Sequence, residues 1–350
     1  MFSERLKKLT PYVPGEQPRD RKYVKLNTNE NPYSPSPKIR EFLETCEIES
    51  LRLYPDPLAT ELRERIAEKY GVKKENVFAG NGSDEVLSFA FYAFFDNSNG
   101  NLLFPEFTYS FYPVYCDFYA IQYQKIPLRD DFSVDAEAYI GTESCGIIFP
   151  NPNAPTGICL SIEEIIRILE NYPKDRAVII DEAYIDFGGE SAVRLINEYP
   201  NLLVIRTFSK SMSLAGLRLG FAIGDNGLID ALFTVKDSFN SYPLDMFAQK
   251  IGEIAIADEA YYSSVTKKIV ETREELCSEL GKAGWNFLSS KANFVFAGKK
   301  GIPGEDIYLG LRDRGILVRH FNIGKIKDFV RITVGTKDEM SRLIEEMKKL

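Results

Sequence analysis

The sequence is poor in the residues that build metal sites and disulfide frameworks. Its 350 residues include a single histidine, His320, and five cysteines, none of them in a CxxC pair. One histidine excludes a His-rich metal site and disfavours a Ser-His-Asp triad. An odd number of isolated cysteines argues against a disulfide framework or a zinc knuckle. We therefore expect reduced cysteines, a cytoplasmic setting and no bound metal.

Long apolar runs and an excess of basic charge are also missing. No apolar run approaches the ~18 residues that a membrane helix needs. The first residues, MFSERLKKLTPYVPGE, lack the apolar core of a signal peptide. The formal net charge of -8 argues against a chain that coats nucleic acid. We therefore expect neither a membrane nor a nucleic acid as partner, while a small basic pocket for one anionic ligand stays compatible with this charge.

Hydrophobic patterning predicts an arm and two larger parts. Residues 1–40 are rich in proline and polar residues, which predicts an extended arm rather than a helix. Alternating strand and helix patterns within 41–240 predict a large domain with a mainly parallel, doubly wound sheet. Long helical patterns followed by short strands over 241–350 predict linking helices and a small α+β domain. One helix is expected to begin at Ser83 as its N-cap, after a strand pattern at 76–80.

A lysine lies in an unusual setting in the segment TFSKSMSLAGLRLG (207–220). Lys210 stands among small residues at the carboxyl end of a predicted strand, where ligands of α/β sheets bind. Desolvation there would favour the neutral, nucleophilic amine. The plain alternative is a solvated surface charge, which is what most lysines are. The Arg218 guanidinium and the Ser209 hydroxyl could hold a phosphate beside this amine.

The segment AVIIDEAY (177–184) places two polar residues at the end of another predicted strand. Asp181 closes the strand, where it could either cap a turn or pair with a protonated pyridine nitrogen. Tyr184 follows three residues later. It could reach a ring oxygen of the same ligand, or it could be an ordinary half-buried tyrosine.

Two turns add further candidates. AGNGSDE (79–85) leads from a strand into a helix, so the N–H groups around Gly82 and Ser83 could bind phosphate or simply begin a capped helix. NPNAPTG (151–157) follows a strand directly. Asn153 could donate a hydrogen bond from this turn to a ring oxygen, and the alternative is a plain loop.

These motifs occur together in one known family. Over nearly its whole length the chain resembles the fold type I, class I/II aminotransferases that depend on pyridoxal 5'-phosphate (PLP). The resemblance implies their fold, an α/β large domain on a seven-stranded, mainly parallel sheet with a smaller α+β domain. Within the family, the motifs are most similar to those of members that act on histidinol phosphate. The matching segments are LNTNENPYSPSP, RLYPDP, GNGSDE, NPNAPTG, DEAYIDF, RTFSKSMSLAGLRLG and VRITVGT.

The resemblance also implies roles around the cofactor. Lys210 would bond to the aldehyde carbon and later move a proton between the substrate Cα and the cofactor C4'. Asp181 would pair with the pyridine nitrogen, Tyr184 with the ring oxygen, and Tyr109 would stack on the ring. The phosphate would be held by Ser209, Arg218, Gly82 and Ser83.

Four further residues match positions that contact substrates or a second subunit. Arg331 matches the arginine that binds the α-carboxylate of the amino acid, and a planar guanidinium suits that anion. Arg319 and Tyr12 match residues near the substrate phosphate. Tyr54 matches the residue that reaches the cofactor phosphate of a partner subunit, which implies a homodimer.

One position departs from the family pattern. The motif usually has asparagine directly before Pro-Thr-Gly, and this chain has Ala154 there. Either the preceding Asn153 makes the bond to the ring oxygen through a shifted turn, which we favour, or the bond is missing.

The implied function is a ping-pong transamination in histidine biosynthesis. L-Histidinol phosphate and 2-oxoglutarate would give 3-(imidazol-4-yl)-2-oxopropyl phosphate and L-glutamate. An aromatic or broad-specificity aminotransferase is one alternative, and a threonine-phosphate decarboxylase, which would release CO2, is another. A non-catalytic ligand sensor would need a DNA-binding domain, for which residues 1–40 are too short and too rich in proline.

Overall fold

A seven-stranded sheet forms the centre of the structure, a computed structural model that describes residues 2–350. Its strands are β2 (Val77–Gly80), β3 (Asn101–Pro105), β4 (Tyr123–Ile126), β5 (Ser144–Pro150), β6 (Val178–Asp181), β7 (Leu202–Thr207) and β8 (Gly220–Gly224). They lie in the order β2-β8-β7-β6-β5-β3-β4, and β8 runs antiparallel to both of its neighbours. The other neighbouring pairs are parallel. The expected seven-stranded, mainly parallel sheet is therefore confirmed.

Two smaller sheets lie apart from the large one in the hydrogen-bonding pattern. The antiparallel sheet consists of β9 (Asn286–Phe287), β10 (Phe294–Gly298), β12 (Arg319–His320) and β13 (Val330–Thr333). In addition, β1 (Val24–Lys25) pairs in parallel with β11 (Ile316–Leu317), which ties the N-terminal segment to the last hundred residues. The division into 1–40, 41–240 and 241–350 stays a prediction, and Met1 lies outside the described residues.

Helices cover the sheets and connect their strands. They are α1 (Pro37–Thr45), α2 (Thr60–Tyr70), α3 (Gly82–Phe94), α4 (Tyr112–Tyr119), α5 (Ile162–Asn171), α6 (Asn226–Phe239), α7 (Met246–Ala257), α8 (Glu259–Lys282), α9 (Gly304–Asp313) and α10 (Lys337–Met347). Local chemistry sets their ends. For example, Ser161 and Glu164 form a capping box at the start of α5. Among residues 2–350, no helix combines the length and the apolar character needed to span a membrane.

The central strands are buried on both faces. Every residue of β5, β6 and β7 is buried. Alternate side chains pack on opposite sides, so that Ile180 faces the cluster containing α2, α5 and α7 while Ile179 faces the cluster containing α3 and α6. Their polar residues, Ser144, Asp181, Arg206 and Thr207, occupy only the first position or the last two positions of these strands. The middle of each strand is apolar, so polar groups collect near the strand ends.

The helix after β2 begins earlier than expected. Asn81 is the N-cap residue of α3 and Ser83 is its second residue, so the predicted Ser83 cap is wrong. Gly82 has a φ of 77°, which residues with a Cβ rarely adopt. This glycine lets the chain turn from β2 into α3 without a connecting loop.

The antiparallel β8 brings its first residue to the edge at which its neighbours end. Gly220 pairs with Gly80 on one side and with Thr207 on the other. A Cβ at position 220 would overlap the backbone nitrogen of Ser83. A glycine is therefore required for β8 to lie directly against the start of α3.

Replacing Gly220 with alanine should destabilise the protein, because the added methyl group would push β8 away from the Ser83 backbone. The expected loss in the free energy of unfolding is about 1–3 kcal/mol, measured by urea denaturation. Gly216→Ala is the matched control, since a Cβ at that position meets no atom within 4 Å. Equal stability of the two variants would contradict the close packing of β8 on α3.

Candidate active site

Polar side chains from several strand ends meet at one edge of the large sheet. Pro150 at the end of β5 is opposite Asp181 at the end of β6, and Asp181 is opposite Ile205 of β7. Lys210 follows β7 after a turn of two residues. Because parallel strands end at the same edge, the lysine and the aspartate reach one site.

Two adjoining cavities lie at this edge and share Lys210, Tyr184, Tyr109, Thr28 and Ala154 in their walls. The inner cavity, of about 200 Å³, is also lined by Ser83, Asp84, Asp181, Ser209 and Arg218. The outer cavity, of about 240 Å³, is also lined by Tyr12, Asn27, Asn29, Thr108, Arg319, Phe321 and Arg331. Ten of the thirteen predicted site residues therefore line these two cavities, and the other three are Gly82, Asn153 and Tyr54.

Asp181 is a buried carboxylate without a cationic partner. The hydroxyl of Tyr112 donates to Oδ2 at 3.1 Å, and the backbone N–H of Ala183 donates to Oδ1 at 3.2 Å. Burial raises the pKa of Asp181 to about 6, although both hydrogen bonds favour the charged form. A protonated ring nitrogen at this place would provide the positive charge that the carboxylate lacks.

Arg218 lies against the first turn of α3 and forms the opposite end of the inner cavity. Its Nη2 donates to Oδ2 of Asp84 at 2.8 Å. A Cβ on Gly82 would approach the same nitrogen to 2.7 Å, so the glycine leaves space for the guanidinium. With Ser83, Ser209 and the free N–H groups of the helix, Arg218 forms a set of donors suited to a phosphate.

Lys210 lies between the two cavities. Its Nζ donates to the carbonyl of Thr28 at 3.3 Å and lies 5.5 Å from the centre of the Tyr184 ring. Within residues 2–350, no carboxylate forms an ion pair with this amine. Asn31 donates to the carbonyls of Lys210 at 3.0 Å and Ser211 at 3.3 Å, and so holds the turn that presents the amine.

An ion network, buried except at Asp186, supports the other side of this turn. Arg206 of β7 pairs with Glu182 at 3.5 Å and with Asp186, and Asp186 accepts a hydrogen bond from the Ser211 hydroxyl. Burial raises the pKa of Glu182 to about 7 despite the nearby guanidinium. The network connects the residue after Asp181 with the residue after Lys210. It therefore fixes the two strand ends relative to each other.

Two arginines dominate the outer cavity. Arg319 of β12 and Arg331 of β13 are register partners. Arg331 donates through Nη2 to the carbonyl of Asn27 at 3.2 Å, whereas its buried Nε has no partner. Burial lowers the pKa of Arg331. Among residues 2–350, no carboxylate lines the outer cavity, so an anionic ligand would complete the hydrogen bonding of this guanidinium.

Known proteins match the chain over nearly its full length. The family model of the class I and II aminotransferases matches residues 21–347. A histidinol-phosphate aminotransferase from Syntrophus aciditrophicus (strain SB) is 61% identical, over 100% of this chain and 98% of that protein. This chain belongs to the class I and II aminotransferases. A histidinol-phosphate aminotransferase from Chromohalobacter salexigens is 50% identical, over 99% of this chain and 98% of that protein.

Solved structures show the same fold. Histidinol-phosphate aminotransferase from Sinorhizobium meliloti, in complex with pyridoxal 5'-phosphate, has a TM-score of 0.88 at 23% identity, over 99% of this chain and 96% of that chain. Aspartate aminotransferase from Thermus thermophilus with maleate has a TM-score of 0.84 at 18% identity, over 100% and 99%. Identities this low show the fold alone. The family depends on PLP, and this aminotransferase is accordingly a PLP-dependent enzyme.

The inner cavity of this aminotransferase fits the cofactor. Lys210 offers an amine without a carboxylate partner, and Asp181 offers a buried carboxylate without a cation. Arg218 and the start of α3 offer donors for a phosphate. These three groups match the aldehyde, the ring nitrogen and the phosphate of PLP, one to one.

Asn153 does not face the cavities. It is fully buried, and its Nδ2 donates to the carbonyl of Phe107 at 3.0 Å and to Oγ1 of Thr156 at 3.2 Å. Both amide hydrogens are used, so none is left for a ring oxygen. Ala154 lines the cavities instead. The expectation that Asn153 replaces the missing asparagine is therefore wrong.

Tyr54 does not line the cavities of its own chain either. It is 82% exposed and stacks on Tyr242, with ring centres 4.7 Å apart. Its predicted contact with a partner subunit stays a prediction.

The N-terminal segment contributes more to the site than the sequence indicated. Thr28 contacts the amine of Lys210, Asn29 donates to the hydroxyl of Tyr184 at 2.9 Å, and Asn31 holds the Lys210 turn. All three belong to LNTNENP, a segment that marks the family but suggests no role for its residues. Their partners lie 155 to 182 residues away, so the spacing of the sequence does not reveal these contacts.

The raised pKa of Asp181 predicts how its replacement affects the cofactor-free protein. The folded-state pKa of about 6 exceeds the ordinary aspartate value of 3.8. The buried charge therefore does not lower the free energy of unfolding below the unfolded-state pKa. The loss of stability grows between the two pKa values and reaches its full size above the folded-state pKa. Asp181→Asn removes this cost. The variant's free energy of unfolding relative to wild type should thus be more favourable at pH 8 than at pH 5, by about 1 kcal/mol.

Urea denaturation of both cofactor-free proteins at the two pH values measures this difference. Glu182 is present in both proteins, so its own titration cancels in the comparison. An identical effect of Asp181→Asn at pH 5 and pH 8 would show that the carboxylate is not an uncompensated buried charge.

Proposed function

We propose that this aminotransferase converts L-histidinol phosphate and 2-oxoglutarate into 3-(imidazol-4-yl)-2-oxopropyl phosphate and L-glutamate, a step in histidine biosynthesis. The observation that carries the proposal is the 61% identity, over the whole chain, to a histidinol-phosphate aminotransferase. The chemistry of the outer cavity supports it independently.

The outer cavity suits substrates that carry two negative charges. Arg331 and Arg319 lie next to each other there without a carboxylate in the wall. The α- and γ-carboxylates of glutamate can pair with both cations, and histidinol phosphate brings a doubly charged phosphate. An aromatic amino acid has one carboxylate and would leave one half-buried cation unpaired, which is costly. Tyr12 lines the same wall and can donate a hydrogen bond to the phosphate.

In this proposal Lys210 would hold the cofactor covalently, and its amine would move the proton at the substrate Cα. The cofactor supplies an electron sink for the negative charge left on that carbon. Asp181 keeps the ring nitrogen protonated, since only a cation there relieves the cost of its buried charge. Tyr109 would pack on the ring, and Tyr184 would donate to the ring oxygen.

The cofactor phosphate would be bound by Ser209, Arg218, Ser83 and the backbone at Gly82. Asp84 contributes indirectly, because it accepts hydrogen bonds from Arg218 at 2.8 Å and from Tyr109 at 2.9 Å. It thereby holds the guanidinium and the aromatic ring in place before the cofactor arrives.

A substrate panel on the PLP-loaded protein tests the proposal. Histidinol phosphate should be the preferred amino donor over phenylalanine, tyrosine and O-phosphothreonine, because only it combines the phosphate with an imidazole and an amine. The panel should be read as kcat/KM with 2-oxoglutarate as acceptor, while released CO2 is measured alongside. A preference for phenylalanine would favour an aromatic aminotransferase, and CO2 released without a keto acid would favour the decarboxylase.

We further propose that two chains share their active sites in a homodimer. Exposed apolar side chains are frequent in the stretches of chain that contain Tyr54 and its stacking partner Tyr242. They are Leu43, Ile48, Leu51, Leu53, Leu58 and Phe239. Where exposed apolar residues gather into a patch, they mark an interaction site. We also propose that the protein works in the cytoplasm, because its cysteines are unpaired.

Mixing two inactive variants tests the shared site. Lys210→Ala removes the amine, and Tyr54→Ala removes the contact across the interface. A mixed dimer contains one site with both residues intact, so the refolded mixture should recover roughly a quarter of wild-type activity. Each variant refolded alone serves as the control. No recovery, with mixed dimers verified by mass, would contradict a role for Tyr54 in the partner's site.

A further inference from the structure

Ala154 leaves this aminotransferase without a side-chain amide on one side of the cofactor site. It packs with Ala292 and Phe294 beside the Tyr184 ring. The neighbouring amide of Asn153 is committed to Phe107 and Thr156. No amide of the 151–157 loop therefore reaches the ring oxygen of a bound cofactor.

Asn29 brings an amide to the same place from the N-terminal segment. Its Nδ2 donates to the hydroxyl of Tyr184 at 2.9 Å, and its side chain lines the outer cavity. The residue is buried, and its φ of 56° is a left-handed conformation that asparagine tolerates. Asn293 donates to its carbonyl at 3.0 Å, which fixes the backbone there.

Thr333 determines which end of the Asn29 amide faces the tyrosine. The Thr333 hydroxyl accepts from the Asn29 backbone N–H at 3.0 Å and donates its own hydrogen to Oδ1 at 3.1 Å. The oxygen end of the amide is therefore engaged by Thr333. The NH₂ end is left for the hydroxyl of Tyr184.

A donor on this hydroxyl controls its single hydrogen. A phenol has one O–H to donate, and it cannot direct that hydrogen at an N–H that already donates to it. Within residues 2–350, Asn29 is the one hydrogen-bond partner of the Tyr184 hydroxyl. The hydrogen of Tyr184 is consequently free to point into the inner cavity.

We propose that Asn29 is a positioning residue that aims the Tyr184 hydroxyl at the cofactor's ring oxygen and so compensates for the amide that Ala154 lacks. The inference rests on the proposed function, because it needs the cofactor in the inner cavity with its ring oxygen at Tyr184. The inference adds that the Tyr184 hydroxyl can only donate its hydrogen to the ring oxygen. Asn29 of the N-terminal segment and Thr333 of β13 set the direction of that hydrogen.

The pH titration of the bound cofactor's visible absorption tests this role. A hydrogen bond donated to the ring oxygen stabilises negative charge there and lowers the pKa of the chromophore. Asn29→Asp should raise this pKa by about one unit, because the carboxylate accepts the hydrogen of Tyr184 and draws it away from the ring oxygen. Asn29→Gly, which tolerates the same φ, should raise it by roughly half as much.

The same pair of variants in a Tyr184→Phe background provides the control. If Asn29 acts through the tyrosine, neither substitution should move the pKa further once the hydroxyl is absent. A purely structural or directly electrostatic effect would persist in that background and would overturn the proposal. An unchanged pKa in Asn29→Asp with Tyr184 present would overturn it as well.

Two further outcomes separate this inference from the function on which it rests. If Tyr184→Phe alone leaves the pKa unchanged, the cofactor does not lie against Tyr184, and the proposed placement fails together with the inference. If Tyr184→Phe raises the pKa while both Asn29 variants match wild type, the placement stands and only the inference fails. Should Asn29→Asp not fold, Asn29→Gly makes the same comparison.

Discussion

The site is organised around a negative charge that the folded chain leaves unpaired. Asp181 ends a fully buried strand, and its carboxylate receives two neutral hydrogen bonds but no cation. Such a group is costly unless a ligand supplies the opposite charge. The burial of β5, β6 and β7 on both faces stabilises the large sheet and offsets this cost. In the proposed function, a protonated ring bound beside Asp181 would therefore offset the cost of a buried charge that is already present in the folded chain.

The rest of the inner cavity follows from how the sheet edge is built. The antiparallel β8 begins where its neighbours end, so Arg218 just before it lies beside the turn that leads from β2 into α3. Glycines at 82 and 220 permit this approach, one by leaving room for the guanidinium and the other by letting two backbone segments touch. The Arg206 network then holds the ends of β6 and β7 at a fixed separation. All of these contacts are made between parts of the protein itself, before any ligand binds.

The sequence predicted the frame of the site better than its finer contacts. Lys210, Asp181 and Arg218 line one cavity, as predicted, because strand ends place backbone positions reliably. Their roles toward the cofactor stay predictions. Asn153 was wrong because a position in a turn does not determine where the side chain points, and the buried Phe107 carbonyl competes for the amide. The prediction of Ser83 as the N-cap was wrong because Gly82 adopts a positive φ, which lets the helix begin one residue before Ser83. Asn29 had no visible role because its partners, Tyr184 and Thr333, are 155 and 304 residues away.

Two contacts with β13 connect the substrate side of the site with the cofactor side. Arg331 donates to the carbonyl of Asn27, and Thr333, two residues along the same strand, fixes the amide of Asn29. Residues two apart on a strand point to the same face, so both contacts are made by one surface of β13. A movement of this strand that changed the position of Arg331 would also change the support of Asn29 and, through it, of the Tyr184 hydroxyl. In the proposed function, binding of the substrate anion and the direction of the Tyr184 hydroxyl would thus both depend on one short strand and on the N-terminal segment that contacts it.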